Sequence, residues 1–559
     1  MGERADTAFR TTGSELLLPV SEFFRFPLDQ MNFLACQLFA LAAAFWFRLY
    51  LCPGHSNPLI RHAVATLLGI AFLIFCFGWY SAHILAVVAA CYLIMLKADI
   101  NNVHKYSMVT AMGYLTACQV SRVFIFNYGI LSTDFSGPLM MVTQKVTTLA
   151  FQLHDGRFSR LTERLPLCSA RPSLIEYLSY TLNFLSVLVG PCTDYQDYMD
   201  FIEGRHVSRR LQPHCHAGNG YGGYSRKLEP SPLGAVCRKL LICLVCMLFH
   251  LTVTRSLPVA YNVDPGFVSS ASFLSRLAYA FFSIQAARPK FYFAWTLAEA
   301  VHNAAGYGFS GTDASGKPAW ELVSNVNILG IETATSVKAF IDNWNIRTGV
   351  WLKAVCYDRA PRQRLALTFL LSALWHGAYP GYYFTFITAI PITIAARAVR
   401  RSVRHLFLGS DGLKLGYDVI TWAATQLAIC YTVMPFLLLA LESTMIYYRY
   451  DWFNDPGDGS ERMGLDCEAS APPLMVPVLP SSSGPCTSIQ LSGTAEANML
   501  ALRRDDTQKL LSCGHDRRGC RGERGLTDPL HPQRVWTLST LSRHQCRCVD
   551  LGLFFLTIQ

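Results

Sequence analysis

Apolar stretches long enough to cross, or nearly cross, a bilayer recur along most of this chain, at 33–51, 63–80, 82–97, 106–126, 173–190, 238–254, 271–298, 365–376, 382–396 and 417–440. Backbone N–H and C=O groups in hydrocarbon have no water to bond, so such stretches satisfy them internally as helices. The sequence therefore reads as all-α: a polytopic integral membrane bundle of about ten hydrophobic helices. Several are marginal in length. Stretches 365–376 and 382–396 form either one broken span or a re-entrant pair.

Charge agrees with this reading. Only 15% of the residues are charged, against about 25% in a soluble globular chain. The net charge of +10 does not point to nucleic acid, because the basic residues sit in short runs between apolar segments. KADINNVHK, the RFSRLTER region, RHVSRRLQPH, KAVCYDRAPRQR and RAVRRSVRH read as cytosolic loops. The last is dense enough to lie against anionic lipid. Of the 19 cysteines, Cys36, Cys76, Cys91, Cys243 and Cys246 fall inside apolar segments, where a thiol acts as a small hydrophobe. No disulfide framework is expected.

Three regions follow. Residues 1–31 read as a cytosolic or interfacial segment. Glu3, Asp6 and the brief LLLP do not make a signal peptide, and Asp6 stands where a myristoylation motif needs Ser or Thr. Residues 32–447 form the membrane domain. Residues 448–559, rich in Gly, Pro, Ser and Arg, read as an irregular, disordered tail. No repeat of fixed period stands out, which weakens an inverted-repeat transporter.

Most candidate motifs have a plainer explanation. GYGFSG at 306–311 is formally a dinucleotide fingerprint with Glu332 downstream, but no β-branched strand precedes it, so it reads as a turn after a helix. HCH at 214–216 and CGHDRRGC at 513–520 lack the paired spacing of a zinc site. There is no G-x-S-x-G elbow and no P-loop. No metal is expected.

His376 is harder to dismiss. It lies within LSALWHGAYPGYYFTF, residues 371–386, where an imidazole is costly unless it faces a cavity or a pathway. Asn345 is the central polar residue of FIDNWNIRTGVWLK, and a basic connector with Ala360 at its middle separates the two. From Ala360, Asn345 lies fifteen residues back and His376 sixteen forward. If the chain turns there, helical legs of about twelve residues at ~1.5 Å each return both to a similar depth, near the middle of the hydrocarbon.

Such a pair suits acyl transfer. A neutral imidazole takes the proton of a hydroxyl as that hydroxyl attacks an electrophile. An asparagine amide donates to a developing oxyanion or orients a carbonyl. No serine or cysteine nucleophile is needed if the acceptor hydroxyl attacks directly, provided water is excluded.

WN at 344–345 followed by SALWHG at 372–377 resembles the asparagine–histidine signature of the membrane-bound O-acyltransferase (MBOAT) family. NWNIRTGVWLKAVCYDR, SALWHGAYPGYYFTF, ARPKFYFAWTLAEAVHNAAGYGFSG and TDFSGPLMMVTQK are similar to its lysophospholipid acyltransferase branch, and the likeness runs from about Thr11 to Tyr447. The resemblance implies Asn345 and His376 as the catalytic pair in a buried chamber. It implies acyl-CoA from the cytosol as co-substrate and a lysophospholipid reaching the chamber from the bilayer, chiefly lysophosphatidylethanolamine or lysophosphatidylserine. An unsaturated acyl chain such as oleoyl, a place in phospholipid remodelling and the endoplasmic reticulum membrane are implied with it, and no bound cofactor.

Lys353, Arg359, Arg362 and Arg364 are candidates for the CoA phosphates, or simply a positive-inside loop. Trp351, Tyr382 and Tyr383 either line the chamber or pack as ordinary aromatics. Relatives continue past the 417–440 helix into another hydrophobic helix, where this chain has DWFNDPGDGS and its irregular tail. Two other readings stay open. One is a family member acting on a sterol, diacylglycerol or protein acceptor; the other is a lipid transporter or scramblase with His376 on its path.

Overall fold

The computed structural model describes residues 13–24, 27–125, 135–156, 171–211 and 230–449. The first twelve residues, the RFSRLTER run, the 214–216 and 513–520 motifs and the tail from 450 lie outside them. Among the described residues the chain is helical, and the strands are one short antiparallel pair, Gly311–Thr312 with Pro318–Ala319.

The first half comprises α1 (Leu18–Phe24), α2 (Leu28–Tyr50), α3 (Pro58–Phe77), α4 (Ser81–Lys97), α5 (Val103–Ile125), α6 (Ser136–His154) and α7 (Leu174–Leu182). The short α8 (Tyr195–Ile202) and α9 (His206–Leu211) follow, then α10 (Leu233–Phe249), α11 (Pro265–Ser270) and the long α12 (Phe273–Ala304). Three short helices, α13 (Ile328–Glu332), α14 (Val337–Asn343) and α15 (Ile346–Leu352), lead into α16 (Arg364–His376) and α17 (Pro380–Val403). The described chain closes with α18 (Asp411–Leu438) and α19 (Leu441–Arg449).

Local sequence explains many of these starts. Asn57 accepts the Leu59 N–H ahead of Pro58, and Ser410 accepts the Leu413 N–H. Ser173 and Glu176 close a capping box on α7.

Among the described residues, five segments are long and apolar enough to cross a membrane: Leu28–Tyr50, Pro58–Lys97, Leu233–Val263, Pro380–Phe407 and Asp411–Leu438. Their outer faces carry large exposed apolar side chains, among them Phe39 and Leu49 on α2 and Leu241, Leu244 and Leu248 on α10. Water would penalise such a surface, whereas lipid tails accept it. The protein is therefore a multi-pass membrane protein.

These five spans stand against about ten expected from the sequence, and two further features depart from that reading. The stretch 173–190 does not make one span, because its helix stops at Leu182. Asn183 turns its Nδ2 back onto the Ser179 and Tyr180 carbonyls, at 3.0 and 2.9 Å, and its Oδ1 accepts the Ser186 hydroxyl at 2.8 Å. That side chain competes for the groups a continuing helix would use. Gly69 of α3 packs where a Cβ would run into the Leu182 carbonyl, and Phe184 N–H bonds Ala65 O at 3.1 Å.

The second departure is α6. It was not among the apolar stretches, yet Leu139, Val142, Thr143, Gln144, Lys145, Val146, Thr147, Leu149 and Ala150 are all buried. Several of its polar side chains find partners within the bundle. Lys145 Nζ donates to Thr181 O at 3.1 Å and Ser186 Oγ at 2.7 Å.

GYGFSG is a turn, as expected. It ends α12 and leads into the short strand pair, with Gly308 packed against the Asn303 side chain. Glu332 serves the bundle, accepting from Arg288 at 3.0 Å and Tyr292 at 2.6 Å.

Candidate active site

α15 and α16 are the two legs of a hairpin. α15 passes into a π-helical turn over Lys353–Tyr357. The Arg359 and Ala360 N–H groups then close on Cys356 O at 3.1 and 2.9 Å. The legs come back side by side, with the Trp351 and Trp375 rings 5.8 Å apart.

α6 gives the depth of each residue. Gln144 Nε2 donates to Thr348 Oγ1 at 2.9 Å, and Trp351 Nε1 donates to Thr147 Oγ1 at 3.0 Å. Three residues along α6 thus match three along α15, so the helices run parallel and in step. Asn345, three residues before Thr348, then falls level with Met141. On the other leg Trp375 Nε1 donates to Met140 O at 3.1 Å. Asn345 and the Trp375–His376 end of α16 therefore both lie toward the Met140–Met141 end of α6. Among the described residues no hydrogen bond joins their side chains to each other or to anything else.

His376 is the last residue of α16. Gly377 follows at φ 145°, ψ −172°, a conformation open to glycine alone. Gln119 Nε2 donates to Trp375 O at 3.0 Å and fixes the helix end. The imidazole lies among rings, with centroids 4.6 Å from Trp375, 5.3 Å from Phe386, 5.0 Å from Phe436 and 5.7 Å from Tyr382. Part of its surface stays open. Gly381 lets the start of α17 touch the end of α18: a Cβ there would run into the Pro435 carbonyl, and its N–H bonds Leu439 O at 3.0 Å.

Asn345 sits in a left-handed conformation, φ 47°, ψ 52°, which asparagine tolerates better than most residues. It is the N-cap of α15, but its side chain makes no cap bond. Asn325 takes the first N–H groups of the helix, Ile346 N–H on its carbonyl at 2.8 Å and Arg347 N–H on its Oδ1 at 2.9 Å. Glu299 of α12 holds that loop. Its Oε1 accepts the Asn325 N–H at 2.7 Å, and its Oε2 takes Lys239 Nζ at 2.5 Å.

The remaining sequence candidates divide. Trp351 is buried against α6, and Tyr382 is buried beside His376. Tyr383, next along α17, packs with Tyr379 and Leu439. Lys353 and Arg362 are exposed. Arg364 Nε donates to Ala360 O at 2.9 Å, within the hairpin turn. Arg359 is engaged elsewhere: Nη2 pairs with Asp155 at 2.7 Å, Nε bonds Ala354 O at 2.7 Å, and the guanidinium lies over the Phe151 ring. Gln119, Gln144, Phe386, Phe436 and Asn325 were not singled out from the sequence. No chemical motif marks them, and only the fold brings them to the site.

A hairpin that carries an asparagine and a histidine, both partly open, on its two legs inside a helical membrane bundle defines a class. Residues 71–437 match the membrane-bound O-acyltransferase family, and the chain belongs to it. Among its relatives is membrane-bound glycerophospholipid O-acyltransferase 1 from Mus musculus, 56% identical over 455 residues, 80% of this chain and 92% of the relative. Membrane-bound glycerophospholipid O-acyltransferase 2 from Gallus gallus is 51% identical over 451 residues, covering 80% and 86%. Lysophospholipid acyltransferase 6 from Drosophila melanogaster is 38% identical over 449 residues, 78% of this chain and 61% of that longer protein. The family resemblance read from WN and SALWHG holds.

Proposed function

We propose that this chain is an acyl-CoA:lysophospholipid O-acyltransferase of the endoplasmic reticulum membrane. It moves a fatty acyl group, preferably an unsaturated one such as oleoyl, onto the free glycerol hydroxyl of lysophosphatidylethanolamine or lysophosphatidylserine. Family membership and the relatives' names support the lipid class. What supports the chemistry is that two polar side chains without hydrogen bonds, Asn345 and His376, lie on the two legs of one hairpin toward the same end of α6.

In this mechanism His376 accepts the proton of the glycerol hydroxyl as its oxygen attacks the thioester carbonyl. The Asn345 amide donates to the carbonyl oxygen as negative charge builds there. The C–S bond breaks, the ester forms, and the imidazolium returns its proton to the departing CoA thiolate. The apolar rings around His376 limit water, which would otherwise compete as acceptor. Trp351 and Tyr382 form walls of this chamber, and exposed Lys353 and Arg362 attract the CoA phosphates at the cytosolic turn.

The test uses the purified protein in mild detergent, oleoyl-CoA and an equimolar panel of lysophospholipids, with products read by mass spectrometry. Diacyl phosphatidylethanolamine or phosphatidylserine should form, and His376→Ala should lower turnover on the order of 10²–10⁴-fold while substrate still binds. Product formation at an undiminished rate by His376→Ala would overturn the assignment of the base. Lipid translocation without any acyl product would overturn the enzyme reading.

A further inference from the structure

The start of α15 differs from six other helix starts of this chain. The first N–H groups of a helix have no partner within it, and an asparagine at the N-cap ordinarily accepts one of them itself. Asn57, Asp264, Ser272, Asn327, Ser336 and Ser410 all do so on their own helices. Asn345 holds the same position and does not. Of the two N–H groups that an N-cap side chain can take, those of Arg347 and Thr348, the first is already bound by Asn325 Oδ1 at 2.9 Å.

We propose that Asn325 is a positioning residue for Asn345: it caps α15 from a separate loop and so leaves the Asn345 amide free to meet the acyl carbonyl. The proposal rests on the acyltransferase reading above. Asn325 is only 4% exposed. Its backbone carbonyl takes the Ile346 N–H at 2.8 Å, so both ends of the residue grip the first turn. Its own N–H is held by Glu299 Oε1, which also accepts Val326 N–H at 3.3 Å, while the other carboxylate oxygen accepts the Ser324 hydroxyl at 3.3 Å and Lys239 Nζ. The loop is thus fixed on α12 before it reaches α15. Without the Asn325 amide, the acceptor that an N-cap ordinarily offers the Arg347 N–H is the Asn345 side chain. Capping its own helix would draw that amide away from the chamber.

The test has two readouts. Hydrogen exchange followed by mass spectrometry should show the Arg347 amide exchanging faster in Asn325→Ala. It should speed up again when Asn345→Ala removes the substitute cap. Asn325→Asp, which keeps an acceptor oxygen, should stay close to the unmutated protein. In oleoyl-CoA and lysophosphatidylethanolamine kinetics, Asn325→Ala should lower kcat on the order of 10- to 100-fold. KM for both substrates should stay within about twofold, and Asn325→Asp should regain most of the rate. The Asn325→Ala/Asn345→Ala double variant should be no slower than Asn345→Ala alone, because one residue acts through the other.

Unchanged Arg347 exchange overturns the proposal. So do losses that multiply in the double variant, which would make Asn325 an independent structural contributor. If the unmutated chain transfers no acyl group to any lysophospholipid, the function reading fails and takes the catalytic half with it. Exchange then decides the capping half alone.

Discussion

The turns that carry Asn345 and His376 solve one problem by opposite means. Each must hold a polar side chain open at a helix end in a setting that penalises open polar groups. At Asn345 the solution is polar: Lys239, Glu299 and Asn325 form a hydrogen-bonded chain that takes over the backbone of the turn. At His376 it is mainly steric, alongside the Gln119 bond to the Trp375 carbonyl. Gly377 gives the backbone its turn, Gly381 lets two helix ends touch, and Phe386 and Phe436 fix the ring by contact. The first turn should therefore be fragile to loss of charge or of an acceptor, the second to added volume.

The largest effect should come from the polar side. Glu299→Ala leaves the buried Lys239 ammonium and the Asn325 and Val326 N–H groups without an acceptor. Removing one partner of a buried ion pair costs about 3–5 kcal/mol, which thermal unfolding in detergent would register as a large drop in midpoint. Lys239→Met combined with Glu299→Gln strands no charge and keeps an acceptor, so it should recover much of that loss. A single variant as stable as the parent would mean that packing holds both turns.

On the steric side, Gly381→Ala should destabilise by about 1–3 kcal/mol, the usual cost of overpacking. The added Cβ meets backbone, the Pro435 carbonyl and the Leu439 Cα at 3.0 Å, neither of which can swing aside. Tyr382, the next residue, rests against His376. Turnover should therefore fall more than substrate affinity, and paired melting and steady-state measurements separate the two. A tolerated alanine would remove the basis for calling this turn sterically held.

How far each turn was legible follows from the same contrast. The helices α2, α3, α4, α5, α10, α12 and α18 were readable because a long apolar run leaves little but a helix. The hairpin was readable because Ala360 lies midway between Asn345 and His376, and the legs do meet. α6 was not, since Thr143, Gln144, Lys145 and Thr147 dilute its apolarity, and only the fold shows that each meets a partner inside the bundle. The break after Leu182 was hidden inside an apolar run, where a single Asn183 outweighed its neighbours. Asn325 carries no sequence signal toward Asn345, twenty residues on, because a cap supplied from another loop leaves no local spacing to read.

The smallest effect should fall on Arg359, which lies away from both turns. As one of the basic residues of the connector it is a natural candidate for CoA phosphates, but its guanidinium is already shared between Asp155, Ala354 O and the Phe151 ring. A half-exposed pair of this kind contributes about 0–1 kcal/mol, so Arg359→Gln should hardly move the melting midpoint. It should leave KM for acyl-CoA within about twofold, whereas Lys353→Gln, which removes an exposed cation one turn nearer Asn345, should raise it. A tenfold rise in KM for Arg359→Gln would mean that the Asp155 pair opens when acyl-CoA binds. The connector between the two legs would then be a third kind of region, held by a bond that its substrate replaces.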